Sequence, residues 1–246
     1  MNFLNNFIVT SPLEQFEVFQ IGIINNSVIF MIFSFALLVY IYTYFNTFYL
    51  LIPNRWQRLL ELPFEFIKNI VSENINIKHQ VYFPYIYLYF LTILFYNIFG
   101  MIPYSFTITS HLAITFYLSL SAFIGINIIA IKKNNIAVFN LFLPKGVPIF
   151  IIPALVLIEL VSYIARVFSL AIRLFANMMS GHTLLKILAG FSWSILSVNS
   201  FLSLFSLVPT IVIIVVTFLE IAIAGLQAYV FVTLLCIYIN DVLHLH

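Results

Sequence analysis

Within one long apolar stretch, Glu159, Ser162, Arg166, Ser169, Arg173, Asn177 and Ser180 follow one another in steps of three or four. That spacing is the repeat of an α-helix, so the seven side chains form a single stripe. His182 follows directly. In a second apolar stretch Glu220 and Gln227 share a face, with Ala224 between them and Ala222 and Gly225 close by. Small residues let another helix approach closely. A serine stripe alone reads as a contact between helices, whereas two arginines and a carboxylate within it ask for more. Arginine keeps its charge, because its pKa lies above about 12. In mid-membrane it costs about 3 kcal/mol even on insertion scales. Arg173 is therefore a fixed cation that needs a carboxylate or water. Glu159 lies roughly 21 Å away along the same helix. Glu220 is the other deep carboxylate, and a partner on another subunit would serve as well. Imidazole titrates near neutral pH, so His182 beside Glu220 suits a proton relay. Two ligands make too thin a site for a metal ion, and none is expected.

The composition sets the surroundings of these groups. Of 246 residues 63% are hydrophobic and 7% charged, and 28 are Phe. A soluble domain carries roughly 25% charged residues, and the mean hydropathy here is +1.13. So few charges cannot cover a soluble globule of this size. The chain must face lipid or other apolar protein, which argues against a soluble enzyme, a secreted domain or a nucleic-acid binder. A net charge of +2 gives no strong field towards an anionic partner. The one cysteine, Cys236, lies in an apolar run. It excludes a disulfide framework and a zinc finger and reads as a small buried hydrophobe. No cation precedes Arg55, and Glu14 and Glu17 come first, so neither a signal peptide nor an Arg-rich transit peptide is expected.

A bilayer core about 30 Å thick takes roughly 20 apolar residues of helix. Upright spans are predicted at 28–51, 81–99 and 111–131, after an outer segment 1–27. Residues 55–78 mix seven charges with Trp, Leu, Phe and Ile, the pattern of a helix lying in the interface. The stretches 148–189 and 201–242 are each about 60 Å long as helices. They are expected to form a strongly tilted antiparallel hairpin in a single membrane domain, its second arm kinked by Pro209. Such a hairpin sets Arg173 level with Gln227 and His182 level with Glu220, both pairs centred on the polar break at residues 200 to 201. Cations follow the first span and the third (Lys132, Lys133, Lys145), whereas 100–110 has none. The positive-inside rule then puts the N-terminus outside, Glu159 towards the inner face, and His182 and Glu220 towards the outer one. Asp241, His244 and His246 finish inside. The fold expected is an all-α integral membrane protein: about three upright spans, one interfacial amphipathic helix and the long hairpin.

The block Ser169-Leu-Ala-Ile-Arg173-Leu-Phe-Ala-Asn177-Met-Met-Ser-Gly181-His182 closely resembles the signature of subunit a of the rotary F-type ATP synthase. Ser11 to Glu17, Asn97 to His111, and Glu220 to Gln227 with Tyr229 resemble further segments of that family in the same order. The resemblance implies a non-catalytic, stationary proton-channel subunit with no cofactor. It implies a ring of c subunits whose buried carboxylate faces Arg173, and two half-channels that couple proton passage to rotation. The other implied partners are peripheral-stalk and membrane-sector subunits and the lipid bilayer. By the same resemblance Arg173 is the fixed arginine, Asn177 and Gln227 are its polar neighbours, and His182 with Glu220 serves the outer half-channel. The histidine-first order, and a bias to Ile, Asn, Phe and Tyr, point to the mitochondrial inner membrane, with a bacterial inner membrane as the alternative.

The polar stripe and the orientation give the inner half-channel Glu159 at its mouth, lined by Ser162 and Ser169, with Ser180 a further lining residue. Glu159 equally suits neutralising Arg166. His111 reads as an interfacial cap or as a lining residue, and Asn97 as an interhelical hydrogen bonder or a channel residue. Family members often carry Pro where this chain has Val167, which leaves the bend there open. Two other readings compete. An ion-coupled secondary transporter would need broken helices and internal repeats, and no repeat is found. A structural subunit of a respiratory complex would have no functional need of Arg173.

Overall fold

The computed structural model describes residues 11, 13–21, 24–47, 54–75, 81–102, 105–135, 151–197 and 205–243. Lys145, Asn199, Ser200, His244 and His246, the end of the first expected span and the end of the interfacial stretch lie outside these. Six α-helices follow in order: α1 Asn26–Thr47, α2 Arg55–Asn74, α3 Phe83–Gly100, α4 Leu112–Asn134, α5 Ile152–Ser197 and α6 Leu207–Leu243. Ahead of α1, Gln20–Ile21 pairs antiparallel with Ile24–Asn25 over two residues each. A 3₁₀ turn, Ile108–Ser110, joins α3 to α4. All helices but α2 are long and apolar enough to cross a membrane, five among the described residues. The chain is an all-α membrane protein.

Composition decides which helices cross. α1, α3, α4, α5 and α6 are built of Leu, Ile, Val, Phe and Ala, and lipid offers their backbone no partner, so every amide must bond within the helix. α2 buries Gln57, Ile67, Ile70 and Val71 and turns its charges outward.

α5 has 46 residues and α6 has 37, roughly 70 and 55 Å at 1.5 Å per residue. α5 runs through Gly190 to Ser197. A glycine costs a helix about 1 kcal/mol against alanine, too little to end one in apolar surroundings. It is also continuous at Val167, whose side chain is buried. Pro209 does not kink α6, because the helix starts only at Leu207. The proline falls in the first turn, where no amide has an intrahelical partner to lose.

The core is built around α6. Ala228, Phe231, Val232, Leu235, Cys236 and Ile239 of α6 are all within 1% of full burial. They share one cluster with Ile67 and Val71 of α2, Ile86 and Ile93 of α3, Ala122 and Ile126 of α4, and Leu170 and Leu174 of α5. Contacts along α5 and α6 run antiparallel: Asn177 meets Gln227, and Ser192 meets Thr210.

The seam between α3 and α4 closes on a glycine. The Tyr85 hydroxyl donates to the Ala122 carbonyl at 2.8 Å, and its phenol ring fills the space that a Cβ on Gly125 would take. Overpacking of this kind costs about 1–3 kcal/mol. Gly125→Ala should therefore lower the thermal midpoint of the solubilised protein. Adding Tyr85→Phe should recover part of the loss, since the hydroxyl makes the closest clash.

Candidate functional site

The polar residues of α5 and α6 fall into three groups along the helices. At the Ile152 end of α5, Arg166 lies 3.7 Å from Glu159 and 3.7 Å from Asp241 of α6. Its guanidinium also sits 5.0 Å over the ring of Tyr238. The charge of Arg166 is thus matched inside the chain. Beside it the Tyr163 hydroxyl donates to Asn127 of α4.

Roughly 11 Å further along the helix stands Arg173. Among the described residues its guanidinium makes one hydrogen bond, to Ser169 at 3.5 Å. No carboxylate lies within ion-pair distance of it among the described residues, since Glu159 is held by Arg166. Arg173 is exposed, and Phe168 and Ile172 are exposed near it. One turn on, the Asn177 amide donates to Gln227 Oε1 at 2.9 Å. Gln227 is buried, so its partner is Asn177 and not Arg173, one helical turn from the level expected of a simple hairpin.

The third group lies beyond. Glu220 is 5% exposed, and neither of its oxygens has a hydrogen-bond partner among the described residues. His182 is half-buried, and its Nε2 is buried and likewise unpartnered. Burying a carboxylate with nothing bonded to it is costly. The room that it occupies is made by a glycine, because a Cβ on Gly181 would fall on the Glu220 carboxylate. Ala224, 1% exposed, sits between Glu220 and Gln227 and presents its carbonyl to the Asn97 amide at 3.4 Å.

Of the serines, Ser162, Ser169 and Ser180 are exposed on α5. Ser169 accepts from Arg173, and Ser180 bonds back to the Asn177 carbonyl at 3.3 Å. Asp241 and Tyr238 carry no role in the pattern that marks Glu220 and Gln227. Yet Tyr238 lies eleven residues, or about three turns, beyond Gln227, and Asp241 one turn further, so the same helical spacing leads to both.

Arg173, exposed and without a carboxylate partner among the described residues, is flanked by a buried amide pair and by an acid with no hydrogen-bond partner among them. Comparison with known proteins identifies the family. The family described as ATP synthase A chain matches residues 26–240. The chain belongs to the ATP synthase A chain family. It is 51% identical to ATP synthase subunit a of Chondrus crispus, over 98% of this chain and 99% of that protein. It is 46% identical to that of Marchantia polymorpha, over 96% of this chain and 99% of that protein. With that of Pelagibacter ubique the identity is 40%, over 96% and 99%. Membership makes it the proton-translocating subunit of the ATP synthase membrane sector, and it sets aside the transporter reading. As a member of the ATP synthase A chain family it works within a complex of other ATP synthase subunits in the membrane. The relatives, from organisms with mitochondria and from a bacterium, and the five apolar helices bear out a multi-pass inner-membrane protein.

Two glycines of α5 offer a contrast. Gly181→Ala is expected to push the Glu220 carboxylate aside and slow proton pumping in membrane vesicles several-fold. A Cβ on Gly190 would meet nothing within 4 Å, so Gly190→Ala should leave pumping unchanged.

Proposed function

We propose that the chain is the stationary, non-catalytic partner of a rotating ring, and that Arg173 divides two half-channels. The observation that carries this reading is the Arg173 guanidinium, exposed and without a carboxylate within ion-pair distance among the described residues. A permanent cation at that depth is stable when water or an acid from outside the chain reaches it. A ring of c subunits, each with a lipid-buried carboxylate, supplies one acid after another. The cation draws each carboxylate in once it has lost its proton. It also repels a proton moving straight from one half-channel to the other.

The groups on either side then serve the two faces. Glu159, Arg166 and Asp241 lie towards the inner face, where Glu159, paired with Arg166, stands at the mouth, and Ser162 and Ser169 line the way. His182 and Glu220 lie towards the outer face. The imidazole can accept a proton on one nitrogen and release one from the other, which suits passage to the Glu220 carboxylate. Asn177 and Gln227 stand between this pair and Arg173, and Ser180 lies beside them. Their amides keep the gap polar without adding a charge that would compete with the ring acid.

Arg173→Ala and Arg173→Lys should both abolish proton-driven ATP synthesis while the complex still assembles. Lysine keeps the charge but lacks the planar fork that meets a carboxylate with two bonds. Substantial synthesis by an assembled Arg173→Ala complex would disprove the reading. For the outer pair, His182→Glu combined with Glu220→His should pass more protons in a vesicle flux assay than either single change. A double variant no better than the singles would show that the two do not act together.

A further inference from the structure

The corner where α2 meets the first turn of α3 holds an open cavity of about 210 Å³. Phe64, Lys68 and Val71 of α2 and Phe83 of α3 line it. Its aromatic wall is braced from several sides. The Phe64 ring meets Phe83 edge-on with centroids 4.9 Å apart, and Phe83 stacks on Tyr87 at 5.6 Å and 12°. Tyr87 is tied in turn to Tyr42 of α1 through their hydroxyls. Three helices thus hold the wall in place.

The lining is chemically divided. Phe64, Val71 and Phe83 are apolar, and water finds few partners among such groups. Lys68 is the charged group among the described residues of the lining, and it is exposed. All eight acidic side chains of the chain lie among the described residues, and none is within ion-pair distance of Lys68. Glu61, on the same helix, instead accepts a bond from Gln57 at 3.3 Å. The start of α3 adds a second positive feature. Phe83 is its first residue, and no side chain caps that end of the helix, where free amides and the helix dipole favour an anion.

Depth narrows the choice of ligand. α3 is apolar enough to cross the membrane, so its first turn stands where hydrocarbon gives way to headgroups. α2 meets it at that level and turns its charges outward. A cation beside an apolar cleft at this depth matches a molecule with an anionic head and a hydrocarbon tail.

We infer that this corner binds an acidic phospholipid, its phosphate on Lys68 and the start of α3, its glycerol and first acyl carbons against Phe64 and Phe83. A head with net negative charge is favoured over a zwitterionic one, because a choline would bring a second cation to Lys68. The site lies apart from the polar groups of α5 and α6 and does not depend on the half-channel reading.

The test uses the assembled complex in phosphatidylcholine vesicles that contain a small share of phosphatidylglycerol with a photoreactive diazirine near the start of one acyl chain. After illumination the labelled peptides are mapped by mass spectrometry. The inference expects label on the peptides that carry Phe64 and Phe83, and several-fold less from phosphatidylcholine bearing the same diazirine. Lys68→Gln should lower the phosphatidylglycerol label several-fold, and Lys68→Arg should keep it. Arg58→Gln removes an exposed cation of the same helix outside the cavity and should change nothing. Equal labelling by the two lipids would overturn the inference, because it would show ordinary contact with the bilayer. A loss as large with Arg58→Gln as with Lys68→Gln would overturn it too, showing a diffuse attraction to α2. So would displacement of the label by inorganic phosphate, which would make the corner a site for a free anion.

Discussion

A guanidinium cannot shed its charge to suit an apolar setting. The rest of the molecule is arranged around that fact at Arg173. α5 must carry the group at the right depth, and the neighbouring polar side chains must keep the site hospitable without neutralising it. The chain handles its two arginines in opposite ways. Arg166 is hemmed in by Glu159, Asp241 and Tyr238. Arg173 has one serine hydroxyl. The first is a finished ion network, and the second is half of one. An apolar chain with eight acidic residues places two of them on Arg166 and, among the described residues, none within ion-pair distance of Arg173.

Glu220 presents the complementary problem. A carboxylate in the interior normally survives by pairing, but here the nearest structural provision is an absence of bulk at Gly181. Space, not a partner, is what the fold supplies.

The sequence disclosed much of this, and the reasons are particular. The stripe from Glu159 to Ser180 was legible because an α-helix has a fixed repeat and apolar surroundings make each polar residue conspicuous. The number of apolar helices followed from bilayer thickness alone. The hairpin register came out only to within about a turn. Its Arg173–Gln227 level gave way to Asn177–Gln227, because side chains in a helix lean towards its N-terminus and reach partners off their own level. The helix ends were less legible: α5 runs eight residues past the expected end at 189, and Pro209 falls in a first turn. Asn97 stayed ambiguous, since nothing in a single polar residue tells whether its second hydrogen-bonding atom will find a partner.

The place of α6 in the core has a consequence for how the molecule is made. It is the last of the six helices among the described residues, yet α2, α3, α4 and α5 all pack on it. During synthesis the earlier helices enter the membrane one by one, with the surface that will hold them together still unbuilt. Contacts between α3 and α6 join residues more than a hundred positions apart, as Asn97 and Ala224 do. Membrane insertion and tertiary closure must then be separate events, the second waiting until translation is nearly over. Until then the half-built bundle exposes its helix seams to other hydrophobic chains.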